Sequence, residues 1–442
     1  MTRNSLAITI EALSWMAYEG IGERTALLRA AKQLRIESLS DLRQAHKLIM
    51  ETTRFRNRLD AFVMQAMRGA SVEKVPHGII GFLRTFAYMR YVDGARHKDL
   101  LQAAGWAREI LGWRDLHPFE ASIALLASGT LNAYNNKLSE FERISLETCN
   151  PVWFVERTFR VFGRDFALAI LRRNLYQMPT YIRLNPLVNA GNSGADREIV
   201  TDQATQLPGL DGVWKIDKTS RTPRPDFIRS ELTVTQDLAG MIASRVTDVE
   251  PNQVVLDICA APGNKTSHLA ALMHNQGEIY SIDISDRRLE HWKTEMKRTG
   301  VKIAQAIRGD AIAPPLHLKA DVILIDPPCS NTGVFARNPS IKWAITPGRL
   351  TDYVAKQRAL LRSAAKLVKP EGTLVYCTCS ILPEENELVI EDFLHRNGGF
   401  ELAKQTPFIG SPGLRGLERC QRFYPHLHDC NGYFIAKLNK TA

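Results

Sequence analysis

The stretch VVLDICAAPGNKT, at residues 254–266, changes character after its first five residues. Those five are mostly apolar and β-branched, which is typical of a buried strand, and the small residues after them predict a tight turn before a helix. Strand and helix patterns then alternate, with further strands predicted at 278–285, within 302–311, and at 320–326, 372–378 and 432–438. This alternation predicts an α/β fold with a parallel sheet and helices on both of its faces.

The chain before this region has a different pattern. Residues 1–150 carry apolar side chains at helical spacing, as in TALLRAAKQL, and predict an all-helical domain. Residues 151–230 mix helical, strand and loop-rich patterns and predict a small α+β linking module. The α/β pattern occupies residues 231–442, so the sequence predicts three domains.

The composition narrows the possible partners and the compartment. The net charge is +10, and eight of those charges lie before residue 231, which favours a polyanion such as RNA. No apolar run approaches about 18 residues, the length of a membrane span, and the N-terminus lacks a signal-peptide pattern. We therefore expect a cytoplasmic protein. Seven scattered cysteines do not predict a disulfide framework in that compartment.

Acidic residues close the predicted strands at the edge where an α/β sheet binds its ligands. Asp257 closes the first strand before the small residues 260–263, and Asp283 and Asp310 follow the second and third. The turn lets a ligand approach the backbone, Asp283 can accept hydrogen bonds from both hydroxyls of a ribose, and Asp310 is expected near an adenine amino group. Because no glycine-rich phosphate cradle is present, the pattern favours a nucleoside cofactor. The alternative is that each carboxylate caps a helix.

Cysteines follow the fourth and fifth predicted strands, Cys329 in DPPCS and Cys379 in TCS. If those strands are neighbours, both thiols project into the crevice beside the nucleoside site. A thiolate is a strong nucleophile when its pKa is lowered. The alternative is a pair of inert buried thiols.

Paired thiols in one crevice suit methylation of carbon 5 of cytosine. Addition of a thiolate to carbon 6 makes carbon 5 nucleophilic toward a sulfonium methyl group, and a base on the other side must then remove the hydrogen of carbon 5. One cysteine would attack and the other would assist release. Asp326 is expected to hydrogen-bond to the N3 edge of the base, and Lys265 to orient Asp326 or polarise the base.

Motifs in this region resemble those of the Nop/Sun family of RNA 5-methylcytosine methyltransferases, in the Sun/Fmu branch known as RsmB in bacteria. They are DICAAPGNKT (257–266), GDA (309–311), DPPCSNTG (326–333), RNPSIKW (337–343), TCSILPEENE (378–387) and RFYPHLHDCNGYFIAKL (422–438). The resemblance covers residues 232–438 and implies a Rossmann-like methyltransferase domain. It also implies a NusB-like RNA-binding domain at the N-terminus and an RRM-like linking module.

The resemblance carries residue roles with it. In that family the cysteine of the Thr-Cys motif is the nucleophile, which maps onto Cys379, and the cysteine of the Pro-Cys motif assists release, which maps onto Cys329. The family implies S-adenosylmethionine as cofactor and RNA as partner, with rRNA favoured and tRNA possible. We separately expect a monomer. The implied cofactor contacts are Cys259, Ala260, Ala261, Pro262, Gly263, Asn264, Lys265, Asp283, Arg288, Asp310 and Asp326.

The chain departs from the family at Asn264 and Asn331, where glycine is common. Asn tolerates the left-handed backbone conformation better than most residues, so both turns are expected to persist. Rival functions are methylation of an exocyclic amine, which also uses an Asp-Pro-Pro turn but needs no cysteine, and an RNA-binding assembly factor that has lost catalysis.

Several residues have a structural interpretation beside a functional one. HLHDC (426–430) superficially suggests a metal site, but no second ligand cluster accompanies it, so no metal is predicted. Phe335, Trp343 and Phe423 are candidates for stacking on an extruded base or for core packing. Cys377 is expected to pack in the core.

Overall fold

The structure is a computed structural model, and it describes residues 1–134, 138–188, 204–216 and 231–441. The chain divides into two compact units. The helical unit comprises Met1–Gln177 and Phe335–Ile345, and the sheet unit comprises Met178–Val334 and Thr346–Ala442. Within the described ranges, no helix has the length and apolarity needed to cross a bilayer.

The helical unit consists of helices with defined ends. Thr2 and Ser139 accept hydrogen bonds at the starts of two of them, and Gly20 ends the first with φ of +67°. Phe82 and Phe86 are almost fully buried in its core. The helices are α1 (Arg3–Glu19), α2 (Glu23–Leu34), α3 (Leu39–Arg54), α4 (Arg56–Ala66), α5 (His77–Tyr91), α6 (His97–Leu111), α7 (Trp113–Leu116), α8 (Glu120–Ser128), α9 (Glu140–Thr148), α10 (Val152–Phe162) and α11 (Arg164–Arg173).

A small antiparallel sheet opens the sheet unit. Its strands are β1 (Tyr181–Leu184), β2 (Ala204–Gln206), β3 (Val213–Ile216) and β4 (Thr233–Thr235), in the order β2-β3-β1-β4. Ile182 and Trp214 lie opposite each other and bury a small apolar cluster. Residues 189–203 and 217–230 of the predicted linking module lie outside the described residues, so its boundaries and RRM-like character stay predictions.

A large mixed sheet carries the rest of the sheet unit. Its strands are β5 (Val254–Ile258), β6 (Glu278–Asp283), β7 (Ala304–Arg308), β8 (Ala320–Ile325), β9 (Val368–Thr378), β10 (Phe400–Leu402), β11 (Ser411–Pro412), β12 (Gln421–Phe423) and β13 (Tyr433–Lys440). The helices after residue 231 are α12 (Leu238–Arg245), α13 (Asn264–Leu272), α14 (Asp286–Arg298), α15 (Pro339–Ala344), α16 (Pro347–Ala365), α17 (Glu387–Arg396) and α18 (Pro425–His428).

The strand order creates a switch point beside β5. Over the described residues the order is β11-β12-β13-β9-β8-β5-β6-β7, with β10 paired to β13. From β5 the chain builds outward through β6 and β7 on one side, and through β8 and β9 on the other, all parallel. A crevice at such a switch point is where open α/β sheets bind ligands.

Helices cover both faces of the large sheet, as the strand–helix alternation predicts. Leu269 and Ala270 of α13 are buried in the cluster on one face, and Leu360 and Leu361 of α16 in the cluster on the other. The predicted strands are present, but the last one, β13, runs antiparallel to β9. It is joined to β12 by a short connection rather than by the long crossover that a parallel neighbour needs. The sheet is therefore mixed rather than wholly parallel.

Two segments belong to the helical unit although the predicted boundaries at residues 150 and 230 place them outside it. Helices α10 and α11 belong to the helical unit, where Phe154 of α10 is fully buried. The segment 335–345 also belongs to it, although it lies inside the predicted methyltransferase domain. There Phe335 packs edge-on against Phe154 at 4.9 Å, and Lys342 Nζ donates to Arg54 O at 2.8 Å.

Candidate active site

The cysteines after β8 and β9 adjoin each other. The two strands are parallel neighbours, with Ile325 opposite Tyr376. The chain turns directly after each strand, in the Cys329 loop (327–334) and the Cys379 loop (379–382). The Sγ atoms of Cys329 and Cys379 lie 3.2 Å apart, and both residues are free thiols. The structure thus brings together the pair that the sequence predicted.

Close backbone contacts join the two loops. The Gly333 N–H donates to Cys379 O at 2.9 Å, and the Ile381 N–H donates to Thr332 Oγ1 at 3.1 Å. A Cβ at Gly333 would lie 2.0 Å from Gly432 O, so any side chain there would collide with backbone. Glycine at this position permits the approach that sets the two sulfurs side by side.

The buried carboxylate of Glu385 holds the Cys329 loop in place through hydrogen bonds. Glu385 is fully buried, and its Oε1 accepts hydrogen bonds from the Ser330 N–H at 2.8 Å and from Gln357 Nε2 at 3.0 Å. The Ser330 hydroxyl donates to Oε2. Sequence reasoning missed Glu385, although it lies in the quoted TCSILPEENE motif. The available signal was a carboxylate close to apolar Ile381 and Leu382, where burial requires partners.

The thiols differ in exposure. Cys379 is half-buried, whereas Cys329 is 4% exposed. The hydrogen bond to Cys379 and, after it, burial raise the pKa of the Cys329 thiol well above its ordinary value. Cys379 Sγ donates to Asn331 Oδ1 at 2.8 Å, which leaves its lone pairs to accept from the Cys329 thiol. Cys329 is therefore a thiol at rest, and Cys379 is the sulfur within reach of a ligand.

The sulfur separation corrects one expectation about the chemistry. A ring held between two atoms needs about 7 Å between them, since each side requires a contact of about 3.5 Å. The sulfurs of Cys329 and Cys379 are only 3.2 Å apart, so they cannot flank a base and must both approach from one face. The expectation of a base on the other side is wrong, because the joined loops hold both thiols together.

Lys265 and Asp326 form an ion pair beside the thiols. Asp326 ends β8, Lys265 lies in the first turn of α13, and Nζ and Oδ2 are 2.5 Å apart. Burial alone would lower the pKa of Lys265, but the Asp326 carboxylate raises it above its ordinary value. The side chain of Asp326 remains 31% exposed, so one edge of this carboxylate stays open to a ligand.

Cys377 lies beneath this pair and away from the surface. It is fully buried, and its sulfur accepts a hydrogen bond from the Tyr433 hydroxyl at 3.3 Å. Burial, followed by the nearby Asp326 carboxylate, raises its pKa above the ordinary range. These contacts indicate a packing role on the strand, two residues before the accessible thiol.

The loop after β5 has the small, tightly turned geometry that the sequence predicts. Gly263 has φ of +109°, and a Cβ there would lie 2.8 Å from Met296 Cε. Cys259 also has a left-handed backbone, with φ of +64°, and burial raises its pKa to about 12. Asn264 is the first residue of α13 and has no positive φ. Glycine is not needed at Asn264, because the left-handed turn falls on Gly263.

The acidic strand ends differ from one another. Asp283 accepts hydrogen bonds from the Ala261 N–H at 3.2 Å and the Ser285 N–H at 3.1 Å, and Arg288 Nη1 lies 3.3 Å from its Oδ2. A carboxylate has about four acceptor positions, so about one remains for a ligand rather than two. Asp310 is exposed after β7 and accepts from the Ile312 N–H at 2.9 Å.

Asp257 is not available to a ligand. It is fully buried, its Oδ2 accepts from Thr266 Oγ1 at 2.6 Å, and burial raises its pKa to about 7. The residues at the crevice are therefore the 259–265 loop with Asp283, Asp310 and Asp326; of the three carboxylates, Asp310 and Asp326 are accessible, whereas Asp283 is only 3% exposed. Acidic side chains without a phosphate cradle suit a nucleoside that carries a positive charge, and S-adenosylmethionine is such a nucleoside.

The remaining candidates belong to packing. Phe335 and Phe423 are fully buried, so neither is placed to stack on an extruded base. Trp343 Nε1 donates to Thr53 O at 2.7 Å inside the helical unit. In the HLHDC stretch the His428 ring nitrogen Nδ1 lies 2.9 Å from Tyr424 N. Across the part of the chain that the structure describes, no group of three His, Cys, Asp or Glu side chains has the arrangement of a metal site.

The chain is similar in sequence to RNA methyltransferases. A family model described as 16S rRNA methyltransferase RsmB/F matches residues 245–439. The probable ribosomal RNA small subunit methyltransferase B of Synechocystis sp. is 34% identical over 319 residues, covering 68% of this chain and 69% of that protein. The tRNA (cytosine(72)-C(5))-methyltransferase of Pyrococcus horikoshii is 41% identical over 207 residues. That match covers 47% of this chain and 52% of the archaeal enzyme, so the chain spans about half of that relative.

Solved structures support the same likeness. The crystal structure of PH0851 has a TM-score of 0.85 and 27% identity, covering 100% of this chain and 99% of that one. The structure of NSun6 from Pyrococcus horikoshii with SFG has a TM-score of 0.60 and 27% identity, covering 66% of this chain and 98% of that one. The predicted fold class, a Rossmann-like methyltransferase domain with a helical N-terminal region, is confirmed.

Proposed function

The chain belongs to the RsmB/F family of 16S rRNA methyltransferases, and we propose that it is an S-adenosylmethionine-dependent RNA (cytosine-C5-)-methyltransferase that forms a thiolate adduct at carbon 6 of its base. One observation carries the proposal. The sulfurs of Cys379 and Cys329 lie 3.2 Å apart beside the Lys265–Asp326 pair, at the carboxyl edge of the sheet.

Cys379 is the nucleophile in this proposal. Its half-buried sulfur can contact a ligand, whereas Cys329 is nearly inaccessible and Cys377 fully so. The thiolate adds to carbon 6, and carbon 5 becomes nucleophilic. The Cys329 thiol, which is placed to donate to the Cys379 sulfur, stabilises the thiolate before attack.

Cys329 is the release base. Its raised pKa has two leading causes, the hydrogen bond to Cys379 and burial, and the first is lost when the Cys379 sulfur becomes bonded to the base. Cys329 then releases its own proton to solvent, and the resulting thiolate takes the hydrogen of carbon 5 as a proton from the face that carries the adduct. The carbon–sulfur bond breaks as the ring regains its double bond, which returns Cys379 as a thiolate.

Lys265 and Asp326 stabilise the charge that develops on the base. Negative charge develops on the pyrimidine when the thiolate adds, and the Lys265 ammonium beside Asp326 is positioned to offset it. The open edge of Asp326 hydrogen-bonds to the N3 side of the ring. Loss of either residue is expected to slow adduct formation rather than release.

S-adenosylmethionine supplies the electrophilic methyl group when bound. The residues that would hold it are the 259–265 loop, Asp283, Asp310 and Asp326, which surround the crevice at the switch point. Arg288 contacts both Asp283 and Ala261 O, so it orients the ribose-binding carboxylate and the loop together. We assign these roles because acidic side chains lie at this edge of the sheet.

The RNA is bound outside the catalytic crevice. Most of the net charge of +10 lies before residue 231, which supports a NusB-like, RNA-binding role for the helical region. Ribosomal RNA is the favoured substrate, and the similarity to an archaeal tRNA enzyme makes tRNA the second candidate. The target cytosine must leave its stack to reach Cys379. We place the protein in the cytoplasm as a monomer.

An in vitro methylation assay tests this function. The protein is incubated with S-adenosylmethionine carrying a labelled methyl group and either small-subunit rRNA or tRNA, and the nucleosides are separated by mass spectrometry. We expect label in 5-methylcytidine, with rRNA the better substrate. Label in an N-methylated nucleoside would favour the exocyclic-amine alternative. RNA binding without any transfer would favour an assembly factor.

A further inference from the structure

We propose that Asn331 is a positioning residue that holds the Cys379 sulfur through a hydrogen bond from its thiol and so restrains it as a nucleophile until a base arrives. The inference rests on the proposed role of Cys379 and extends it to one of the positions where this chain departs from the family's common glycine. Asn331 lies in the Cys329 loop, is half-buried, and has φ of +56°.

The amide of Asn331 bridges the two cysteine loops. Its Nδ2 donates to Cys329 O at 3.0 Å, and its Oδ1 accepts from Cys379 Sγ at 2.8 Å. Because a backbone carbonyl can only accept, the amide atom facing Cys329 O must be the nitrogen. The atom facing the Cys379 sulfur is therefore the oxygen, and the orientation of the amide is settled by its surroundings.

An oxygen at this position opposes ionisation of Cys379. It is an acceptor, so it binds the thiol and repels the thiolate. The neighbouring Cys329 thiol has the opposite effect, since it donates to the Cys379 sulfur in either state. Asn331 and Cys329 therefore act against each other on one sulfur atom. A glycine at position 331 would leave only the contact that favours the thiolate.

The backbone allows this interaction to be removed cleanly. Glycine and aspartate both tolerate a left-handed φ, so Asn331→Gly and Asn331→Asp change the side chain with little backbone strain. Asn331→Asp keeps the size of the side chain but places a carboxylate beside the sulfur. Asn252 has φ of +70° and is exposed, so Asn252→Gly is a matched control for the same substitution.

Thiol alkylation measures the effect without RNA or cofactor. Each full-length variant is treated with iodoacetamide across neutral to alkaline pH, and the Cys379 peptide is quantified by mass spectrometry. We expect Asn331→Gly to move the alkylation midpoint to lower pH, with about three- to tenfold faster alkylation at neutral pH. Asn331→Asp should move the midpoint to higher pH, and Asn252→Gly should leave it unchanged.

The outcomes separate this inference from the proposed function. An alkylation midpoint of Asn331→Gly that is unchanged or moves to higher pH would contradict the proposed restraint of Cys379 by Asn331, even if methyl transfer depends fully on Cys379. An absence of methyl transfer in the wild-type protein would remove the function, while the alkylation profile would still show whether the amide controls the thiol. Thermal unfolding of each variant confirms that the compared proteins are folded.

Discussion

The Cys329 loop and the Cys379 loop present the same functional group in different surroundings. The Cys329 loop is held by the buried Glu385 carboxylate, and its sulfur is 4% exposed. The Cys379 loop leaves its sulfur half-buried and in contact with the Asn331 amide. A nucleophile needs access to its target, whereas a proton acceptor needs a fixed position. The difference between the loops therefore supports the proposed division of the two tasks.

Removing the accessible sulfur should have the largest effect. We expect Cys379→Ala to lower methyl transfer by on the order of 10⁴-fold, because the neighbouring Cys329 and Cys377 are buried and cannot replace it as the nucleophile. Transfer is measured with labelled S-adenosylmethionine and RNA. Cys377→Ala, two residues earlier on the strand, is the control and should retain most of the activity. Full turnover by Cys379→Ala would contradict the proposed role of Cys379 as the nucleophile.

Removing the buried sulfur should instead trap the reaction. We expect Cys329→Ala to complete attack and methylation but to turn over about 10²–10⁴-fold more slowly, because no base removes the hydrogen of carbon 5. The protein should accumulate as an RNA adduct that survives denaturing electrophoresis. The double variant Cys329→Ala/Cys379→Ala should form none. A single variant that forms no adduct and turns over normally would contradict the release role.

Loosening the support of the Cys329 loop should have an intermediate effect. In Glu385→Gln one carboxylate oxygen becomes an amide donor that faces the donors of Ser330 or Gln357. We expect a loss of about 1–3 kcal/mol in the free energy of unfolding, measured by urea denaturation. The adduct should also persist longer in this variant. Glu401→Gln, at an exposed position, is the control and should change neither quantity.

The smallest effect should come from the other asparagine that departs from the family. Asn264 begins α13 without a positive φ, so we expect Asn264→Gly to change stability and transfer by less than about 1 kcal/mol. Asn331→Gly, by contrast, should alter thiol reactivity. Equal effects of the two substitutions would show that the contact with Cys379 does not distinguish them. Denaturation curves and initial rates of both variants provide the comparison.

The sequence predicted which residues meet at the crevice better than it predicted the contacts that support them. The cysteine pair, the Lys265–Asp326 pair and the turn at Gly263 follow from strand ends and small residues, which are local signals. A need for partners could be read from the carboxylate of Glu385 among apolar residues, but its partner Ser330 could not be identified, because it is 55 positions away along the chain. The single-face approach of the thiols also depended on the joining of the two loops through Gly333.

The strand directions and the domain boundaries show the same limit of prediction from local sequence. The parallel strands β5 to β9 follow from their apolar runs and the helices between them, whereas the antiparallel direction of β13 depends on its pairing with β9. Domain boundaries were drawn as contiguous stretches of sequence. Such boundaries cannot anticipate that residues 335–345 pack with helices that precede them by more than 170 positions.

That segment has a consequence for any attempt to isolate the catalytic region. It leaves the sheet unit after Val334 and re-enters it at Thr346, and in between Phe335 and Lys342 are fully buried. A fragment of this chain that began near residue 230 would keep the catalytic residues but lose the helices that bury this aromatic ring and this lysine. Both side chains would then be exposed to water, so such a fragment is expected to aggregate unless the segment is redesigned.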